Sequence, residues 1–238
     1  MTEQWRAIGG EFLGSAMLLA IVVGSGIMGE QLAGGNIAIA LLANAFATAL
    51  GLFVLIEVFG PISGAHFNPA VTLVAVRERL LPRRLDLSYI AAQCTGAVAG
   101  TLLAHAMFDL PLLQVSGHAR SSVGQFVSEV VATFGLVLTI LALVRAKPAL
   151  VAPAVGAYIG AAYWFTASTS FANPAVTMAR ALTDTFAGIR PGDVLLFVPA
   201  QLLGAFAAVA VFRSLTASSR GNPRPGREPT EAPAEPLR

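Results

Sequence analysis

Charged residues are scarce in this chain, and cysteine is nearly absent. Only 12% of the 238 residues are Asp, Glu, Lys or Arg, whereas an ordinary soluble domain carries about 25%. The net charge of +2 is too small to indicate a nucleic-acid partner. The single cysteine, Cys94, excludes an internal disulfide. Residues 1–6 are too polar and too few for a cleaved signal peptide, so we expect the first apolar segment to direct membrane insertion.

Hydrophobic residues make up 55% of the chain and fall into six long apolar segments. A transmembrane helix needs about 20 predominantly apolar residues, and each segment is close to that length. The sequence therefore predicts an integral membrane protein surrounded by lipid. The segments cover residues 7–28, 37–59, 87–108, 124–144, 149–167 and 193–212.

Two copies of the pentapeptide Asn-Pro-Ala-Val-Thr lie 105 residues apart. Asn is a preferred helix N-cap, and Pro suits the first helical position because its missing N–H would have no partner there. Each copy therefore predicts a helix, over 68–77 and 173–182, about half the length that crosses a bilayer. A simple cap would explain one copy, but two copies at matching places indicate a functional pair. The core residues are Asn68, Pro69, Ala70, Asn173, Pro174 and Ala175.

Further matches relate the two halves of the chain. Gln93 lies in Ala-Gln-Cys-Thr-Gly-Ala and Gln201 in Ala-Gln-Leu-Leu-Gly-Ala, while Glu11 in the first segment matches Glu129 in the fourth. Each half contains three spans, an odd number, so the two copies cross the membrane in opposite orientations. We therefore expect the functional site near the midplane, where the half-helices meet.

These features resemble the major intrinsic protein family, the aquaporins and aquaglyceroporins, over about residues 5–215. Glu11, the stretch 63–72, Glu129 and the second Asn-Pro-Ala sit where that family has them. The resemblance implies an all-α membrane protein: an aquaporin-like bundle of six transmembrane helices plus two re-entrant half-helices, built as an inverted repeat. The expected parts are a cytoplasmic N-terminus (1–6), a channel domain (7–215, with repeats at 7–108 and 124–215) and a disordered cytoplasmic tail (216–238), which is rich in Pro, Arg, Glu and Ser.

The resemblance also implies roles for individual residues around the pore. Asn68 and Asn173 would present amide donors to passing solutes, beside the positive end of each half-helix. Glu11 and Glu129 would anchor the re-entrant loops by accepting backbone hydrogen bonds, with a proton-relay pair as the alternative. We expect His66, which precedes Asn68 in the family motif, to line the inner vestibule.

In this family, four positions outward of the Asn pair form the narrowest point, the selectivity filter. Ungapped spacing from the two Asn residues predicts that it consists of Thr48, Ala161, Ser170 and Val176. A gap before the second Asn would instead bring Tyr163 or Trp164 into the filter.

Val176 occupies the filter position at which water- and glycerol-conducting members keep an arginine. Its absence removes a bulky cation with five donors, so we expect a wider and less polar mouth. Arg180 follows on the same helical face, about 6 Å further outward. It is either a displaced cation in the outer vestibule or a surface residue at the end of the half-helix.

The sequence predicts a passive channel rather than an enzyme, with no catalytic residues, cofactor or metal site. The exchange of Arg for Val resembles bacterial aquaglyceroporins associated with arsenic resistance, which implies arsenite, antimonite and methylated arsenicals as solutes. Glycerol and water are further candidates. The alternatives are a water- or glycerol-selective aquaporin and, from another class, an ion-coupled secondary transporter.

Topology follows from the Lys and Arg residues, of which 12 among 15 lie on one side if both termini are cytoplasmic. We therefore expect a multi-pass protein of the bacterial inner membrane with both termini inside. The resemblance implies a homotetramer with one pore in each subunit, whereas the sequence itself offers only glycines at helix-packing spacing.

Overall fold

The computed structural model describes residues 2–217, and its regular secondary structure over that range is entirely helical. The predicted set of six long helices and two half-helices is confirmed. The α-helices are α1 (Glu3–Leu32), α2 (Ile37–Ser63), α3 (Pro69–Arg77), α4 (Asp86–Met107), α5 (Val123–Leu143), α6 (Val151–Phe165), α7 (Pro174–Arg180) and α8 (Pro191–Ala217).

All six long helices are apolar and long enough to cross a membrane, α6 when its preceding 3-10 turn is included. The half-helices α3 and α7 stop after nine and seven residues. The outer boundaries differ from the prediction, because α1 already begins at Glu3 and α8 runs to Ala217. Residues 3–6 and 216–217 are therefore helical, and the rest of the predicted tail, 218–238, lies outside the described residues.

The inverted repeat is visible in how the helices pack. In the first half α1 packs against α2 and α4, and in the second half α5 packs against α6 and α8. Matching glycines permit close approaches between helices. A Cβ on Gly96 would lie 2.2 Å from the carbonyl oxygen of Phe12, and one on Gly204 would lie 2.2 Å from that of Val130. Only glycine allows two helix backbones to come this close.

The two half-helices begin as the sequence predicts. The Asn68 side chain accepts a hydrogen bond from the Ala70 N–H (2.9 Å), and Asn173 accepts from Ala175 (3.0 Å). Each Asn thus caps a helix whose first residue is proline. Because α3 and α7 belong to oppositely oriented repeats, their N-termini meet in the middle of the bundle and their C-termini point to opposite faces.

The chain path defines two ends of the bundle. The proximal end is the one at which α1 begins and α8 ends, and α3 runs from the middle of the bundle toward it. The distal end is the opposite one, toward which α7 runs.

Candidate functional site: a cavity between two half-helices

The re-entrant loop before each half-helix has a left-handed backbone at several non-glycine positions. In the first loop they are Ala65 (φ 51°) and Phe67 (φ 49°), and in the second they are Thr169 (φ 61°), Ser170 (φ 50°) and Ala172 (φ 48°). Such conformations cost energy for residues with a Cβ and persist only where the surroundings hold them. The loops therefore need anchors.

Glu11 is the anchor of the first loop. One carboxylate oxygen accepts hydrogen bonds from the His66 N–H (3.0 Å) and the Ser63 hydroxyl (2.7 Å). The other accepts from the Phe67 N–H (2.7 Å) and from the Gln93 amide (2.7 Å). A fully buried carboxylate with four donors is well satisfied.

Glu129 repeats this arrangement in the second loop. It accepts from the N–H groups of Phe171 and Ala172, both at 2.9 Å, and from the Gln201 amide at 2.6 Å. Gln201 also donates to Thr177, as Gln93 does to the matching threonine of the first half. In the sequence the two glutamines were noted only because they occupy matching positions in the two halves. In the structure each connects a carboxylate to its half-helix.

Asn68 and Asn173 join the two loops to each other. The Asn68 amide nitrogen donates to the carbonyl oxygen of Ala172 at 2.8 Å, and that of Asn173 donates to Phe67 at 2.7 Å. Each amide oxygen is occupied by a helix N–H, so one N–H of each amide group remains. Both residues line the central cavity, where that donor is available to a solute.

The cavity has a volume of about 140 Å³ and runs between the half-helices, enough for several water molecules. Most of its wall is apolar, formed by residues such as Leu18, Leu52, Leu136, Val155 and Ile159. His66 lies on its proximal part, where its Nδ1 is 3.1 Å from the hydroxyl of Thr72. The polar groups are therefore few and localised.

Three of the four predicted filter residues, Thr48, Ser170 and Val176, line this cavity. The prediction for Ala161 is wrong, because that residue is exposed on the outer face of α6. Tyr163 takes its place: it is buried, lines the cavity, and its hydroxyl lies 3.3 Å from that of Thr48.

Arg180 also lines the cavity, and only 2% of its surface is exposed. Its guanidinium carbon lies 3.4 Å from the centre of the Phe171 ring, and its Nε donates to the carbonyl oxygen of Ala187. The alternative that Arg180 is a surface residue at the half-helix end is therefore wrong. Position 176 has no cation in this chain, but a cation lies in the cavity wall one helical turn further along α7.

Arg120, which the sequence did not single out, braces the second loop from the α4–α5 connection. Its Nε donates to Gly188 (2.9 Å) and its Nη1 to Ser168 (3.3 Å), and its guanidinium lies 5.1 Å from the Phe171 ring centre. Burial lowers the pKa of this guanidinium from its usual value. No sequence pattern marks an isolated loop arginine for such a role.

Two oppositely oriented half-helices, joined through capping asparagines in a mostly apolar cavity, define a polytopic membrane channel. Comparison with known proteins supplies its family. The family described as "Major intrinsic protein" matches residues 1–163 and 146–232. The chain belongs to the major intrinsic protein family, whose members are channels for small solutes, and it is an integral multi-pass membrane protein.

Individual relatives agree with this assignment. "Aquaglyceroporin AqpS" of Rhizobium meliloti (strain 1021) is 55% identical over 210 residues, covering 88% of this chain and 90% of that protein. "Probable aquaporin PIP2-8" of Arabidopsis thaliana is 35% identical over 57% of this chain and 51% of its own length. "Aquaporin-4" of Mus musculus is 30% identical over 66% and 50%.

Among solved structures, the aquaglyceroporin from Plasmodium falciparum has a TM-score of 0.69. The match covers 91% of this chain and 98% of that one. At 19% identity this likeness concerns the fold alone, and it confirms the predicted aquaporin-like bundle.

Proposed function

We propose that this channel passively conducts small uncharged solutes, with trivalent metalloid hydroxides such as arsenite and antimonite, and methylated arsenicals, as its preferred cargo. Glycerol and water are further candidates. The observation that carries the proposal is Val176, which lies in the cavity wall with 5% of its surface exposed. An isopropyl group stands where water- and glycerol-conducting members have a guanidinium.

The cavity chemistry favours neutral hydroxyl-bearing solutes. Arsenite at neutral pH is mostly As(OH)3, an uncharged trihydroxyl molecule comparable to a small polyol. The amides of Asn68 and Asn173 supply donors at the centre, and the hydroxyls of Thr48 and Tyr163 lie on the wall. The remaining wall is apolar and offers few groups to which a water molecule could hydrogen-bond.

The name of the 55% identical relative supports a solute larger than water, because that protein is called an aquaglyceroporin. The match covers 88% of this chain and 90% of that protein. Extending the polyol assignment to this chain belongs to the proposal.

An ion-coupled transporter is less well supported. Such a protein needs a site for a coupling ion, usually carboxylates or unwound carbonyl groups at the midplane. Among the described residues the buried carboxylates are Glu11, Glu129 and Asp193, and each accepts hydrogen bonds from the protein. The proton-relay alternative for Glu11 and Glu129 loses support for the same reason.

The proposed setting is the bacterial inner membrane, with both termini in the cytoplasm. Its support is the distribution of Lys and Arg and the bacterial source of one relative. In this orientation the proximal end faces the cytoplasm and Arg180 lies toward the outside. Assembly as a homotetramer, one pore per subunit, is part of the same proposal.

The experiment is solute flux into liposomes that contain the purified protein. We expect arsenite and glycerol to enter along their own gradients, with a low activation energy and without an ion gradient. Normal water flux without arsenite entry would favour the water-channel alternative. Flux that requires a proton or sodium gradient would favour the transporter.

A further inference from the structure

Two buried polar atoms in the cavity wall have no hydrogen-bond partner among the described residues. They are Nη1 of Arg180 and the hydroxyl oxygen of Ser170. Each residue exposes only 2% of its surface, and both line the cavity. A buried donor without a partner is costly and calls for an explanation.

Other unpaired buried atoms do not share this location. They belong to Ser15, Thr133, Gln93 and Gln201, and none of these residues lines the cavity. The coincidence of two unpaired groups with the cavity wall therefore separates Arg180 and Ser170 from the rest. The unpaired hydroxyls of Ser15 and Thr133, which lie outside the cavity wall, can serve as controls.

The Arg180 side chain is held in place without an ion pair. The Phe171 ring supports one face of the guanidinium, and Nε is bound to the Ala187 carbonyl. None of the ion pairs between described residues includes Arg180. The Arg120 guanidinium lies 5.1 Å from the centre of the same ring, and its Nε and Nη1 donate to loop carbonyls. The result is a fixed guanidinium without an ion-pair partner, whose Nη1 has no hydrogen-bond acceptor among the described residues.

We propose that Arg180 is the filter cation of this channel, and that its Nη1 and the Ser170 hydroxyl form a binding subsite for the oxygens of small polyhydroxyl solutes. This inference deepens the proposed function and rests on it. One solute oxygen accepts from Nη1, while a second hydroxyl exchanges a hydrogen bond with Ser170. The isopropyl group of Val176 leaves room for the solute one turn nearer the Asn pair.

The charge of Arg180 has a second consequence. A cation in the wall of a narrow, weakly polar passage raises the energy of other cations that enter it. Arg180 thereby restores the barrier to cations that an arginine at position 176 would have supplied. The barrier at Arg180 lies about 6 Å further toward the distal end than Val176 does.

The test compares Arg180→Met with Arg180→Lys in liposomes at equal protein density, measuring water, glycerol, arsenite and methylammonium flux. Losing a charged hydrogen bond corresponds to about a tenfold change in binding. We expect Arg180→Met to change the glycerol-to-water permeability ratio by about that factor and to admit methylammonium, whereas Arg180→Lys keeps methylammonium out. The control is Arg190→Gln, since Arg190 is half-exposed and pairs with Asp193.

Ser170→Ala tests the subsite independently, and it removes only an unpaired hydroxyl. We expect a reduced glycerol-to-water ratio, with no change in Ser15→Ala, which removes an unpaired hydroxyl away from the cavity. Unchanged ratios and unchanged methylammonium exclusion in Arg180→Met would overturn the proposal. If Arg180→Met does not reach the membrane, a Ser170→Ala ratio equal to wild type, or methylammonium entry through Arg180→Lys, overturns it instead.

These outcomes are separable from those of the proposed function. A wild type that conducts glycerol and water but no arsenite refutes the metalloid assignment, while the Arg180 comparison still proceeds with glycerol and methylammonium. A wild type that conducts none of the solutes refutes both.

Discussion

The amide nitrogen of Asn68 lies 2.8 Å from the carbonyl oxygen of Ala172, the residue directly before the second capping asparagine. The amide nitrogen of Asn173 in turn donates to the carbonyl oxygen of Phe67 at 2.7 Å. Each asparagine thus performs two tasks, since its oxygen caps its own half-helix and its nitrogen fastens the opposite loop. The pore centre is therefore one hydrogen-bonded unit formed by both halves of the chain.

Asn68→Asp and Asn173→Asp should weaken this unit. The carboxylate keeps the cap but places an acceptor against a carbonyl oxygen, which costs about 1–3 kcal/mol, and it offsets the positive end of the half-helix. We expect lower solute flux, with cation leak, in liposome assays. The matched control is Asn44→Asp, because Asn44 also donates to a backbone carbonyl, that of Val22 at 2.8 Å, but does not itself line the cavity; it should affect stability alone. Wild-type selectivity in both pore variants would contradict the role.

Glu11→Gln and Glu129→Gln should both loosen a re-entrant loop. Each glutamine replaces one acceptor oxygen by an NH2 group that faces backbone N–H donors, at about 1–3 kcal/mol for each donor left unpaired. We expect reduced thermal stability in detergent and reduced flux of all solutes. Glu57→Gln, on an exposed face of α2, is the control. If instead only proton-dependent flux were lost while stability stayed unchanged, the relay interpretation would be correct.

Tyr163→Ala should widen the distal part of the cavity. Tyr163 is buried in the wall and its hydroxyl contacts Thr48, so its removal leaves space and a less polar surface. We expect bulkier uncharged solutes, such as longer polyols, to enter faster relative to water in swelling assays. Ala161→Leu should not change this ratio, because Ala161 faces outward. An effect at position 161 and none at 163 would restore the original filter assignment.

Val176→Arg should obstruct the channel rather than restore a water-selective filter. The new guanidinium would share the cavity with Arg180, four residues away on the same face of α7, and like charges at that spacing repel. We expect arsenite and glycerol flux to fall strongly and water flux to fall in part. Membrane abundance must be matched before fluxes are compared.

The exchange variant Val176→Arg/Arg180→Val keeps the composition and moves the cation one turn nearer the Asn pair. We expect it to exclude methylammonium like wild type and to favour water over glycerol. Full arsenite flux through Val176→Arg alone would show that position 176 does not limit passage.

Much of the architecture follows from the sequence by itself. Six apolar segments have the length that a bilayer requires, and Asn followed by Pro defines a helix start by backbone hydrogen bonding alone. Three spans separate the matching residues of the two halves, and because three is odd, the second half crosses the membrane in the opposite orientation. Glu11 and Glu129 stand in equivalent places, so their shared role as loop anchors was predicted from the family resemblance and is seen in their hydrogen bonds.

The lining of the filter was decided only by tertiary structure. Residues two apart on a helix differ by about 200° around its axis, so a small change in the α6–α7 connection exchanges Ala161 for Tyr163 in the wall. The orientation of the Arg180 side chain could not be predicted from the local sequence either. A long side chain at a helix end can reach solvent or turn inward. Here the Phe171 ring from the second loop and the Ala187 carbonyl from the α7–α8 connection hold it against the cavity.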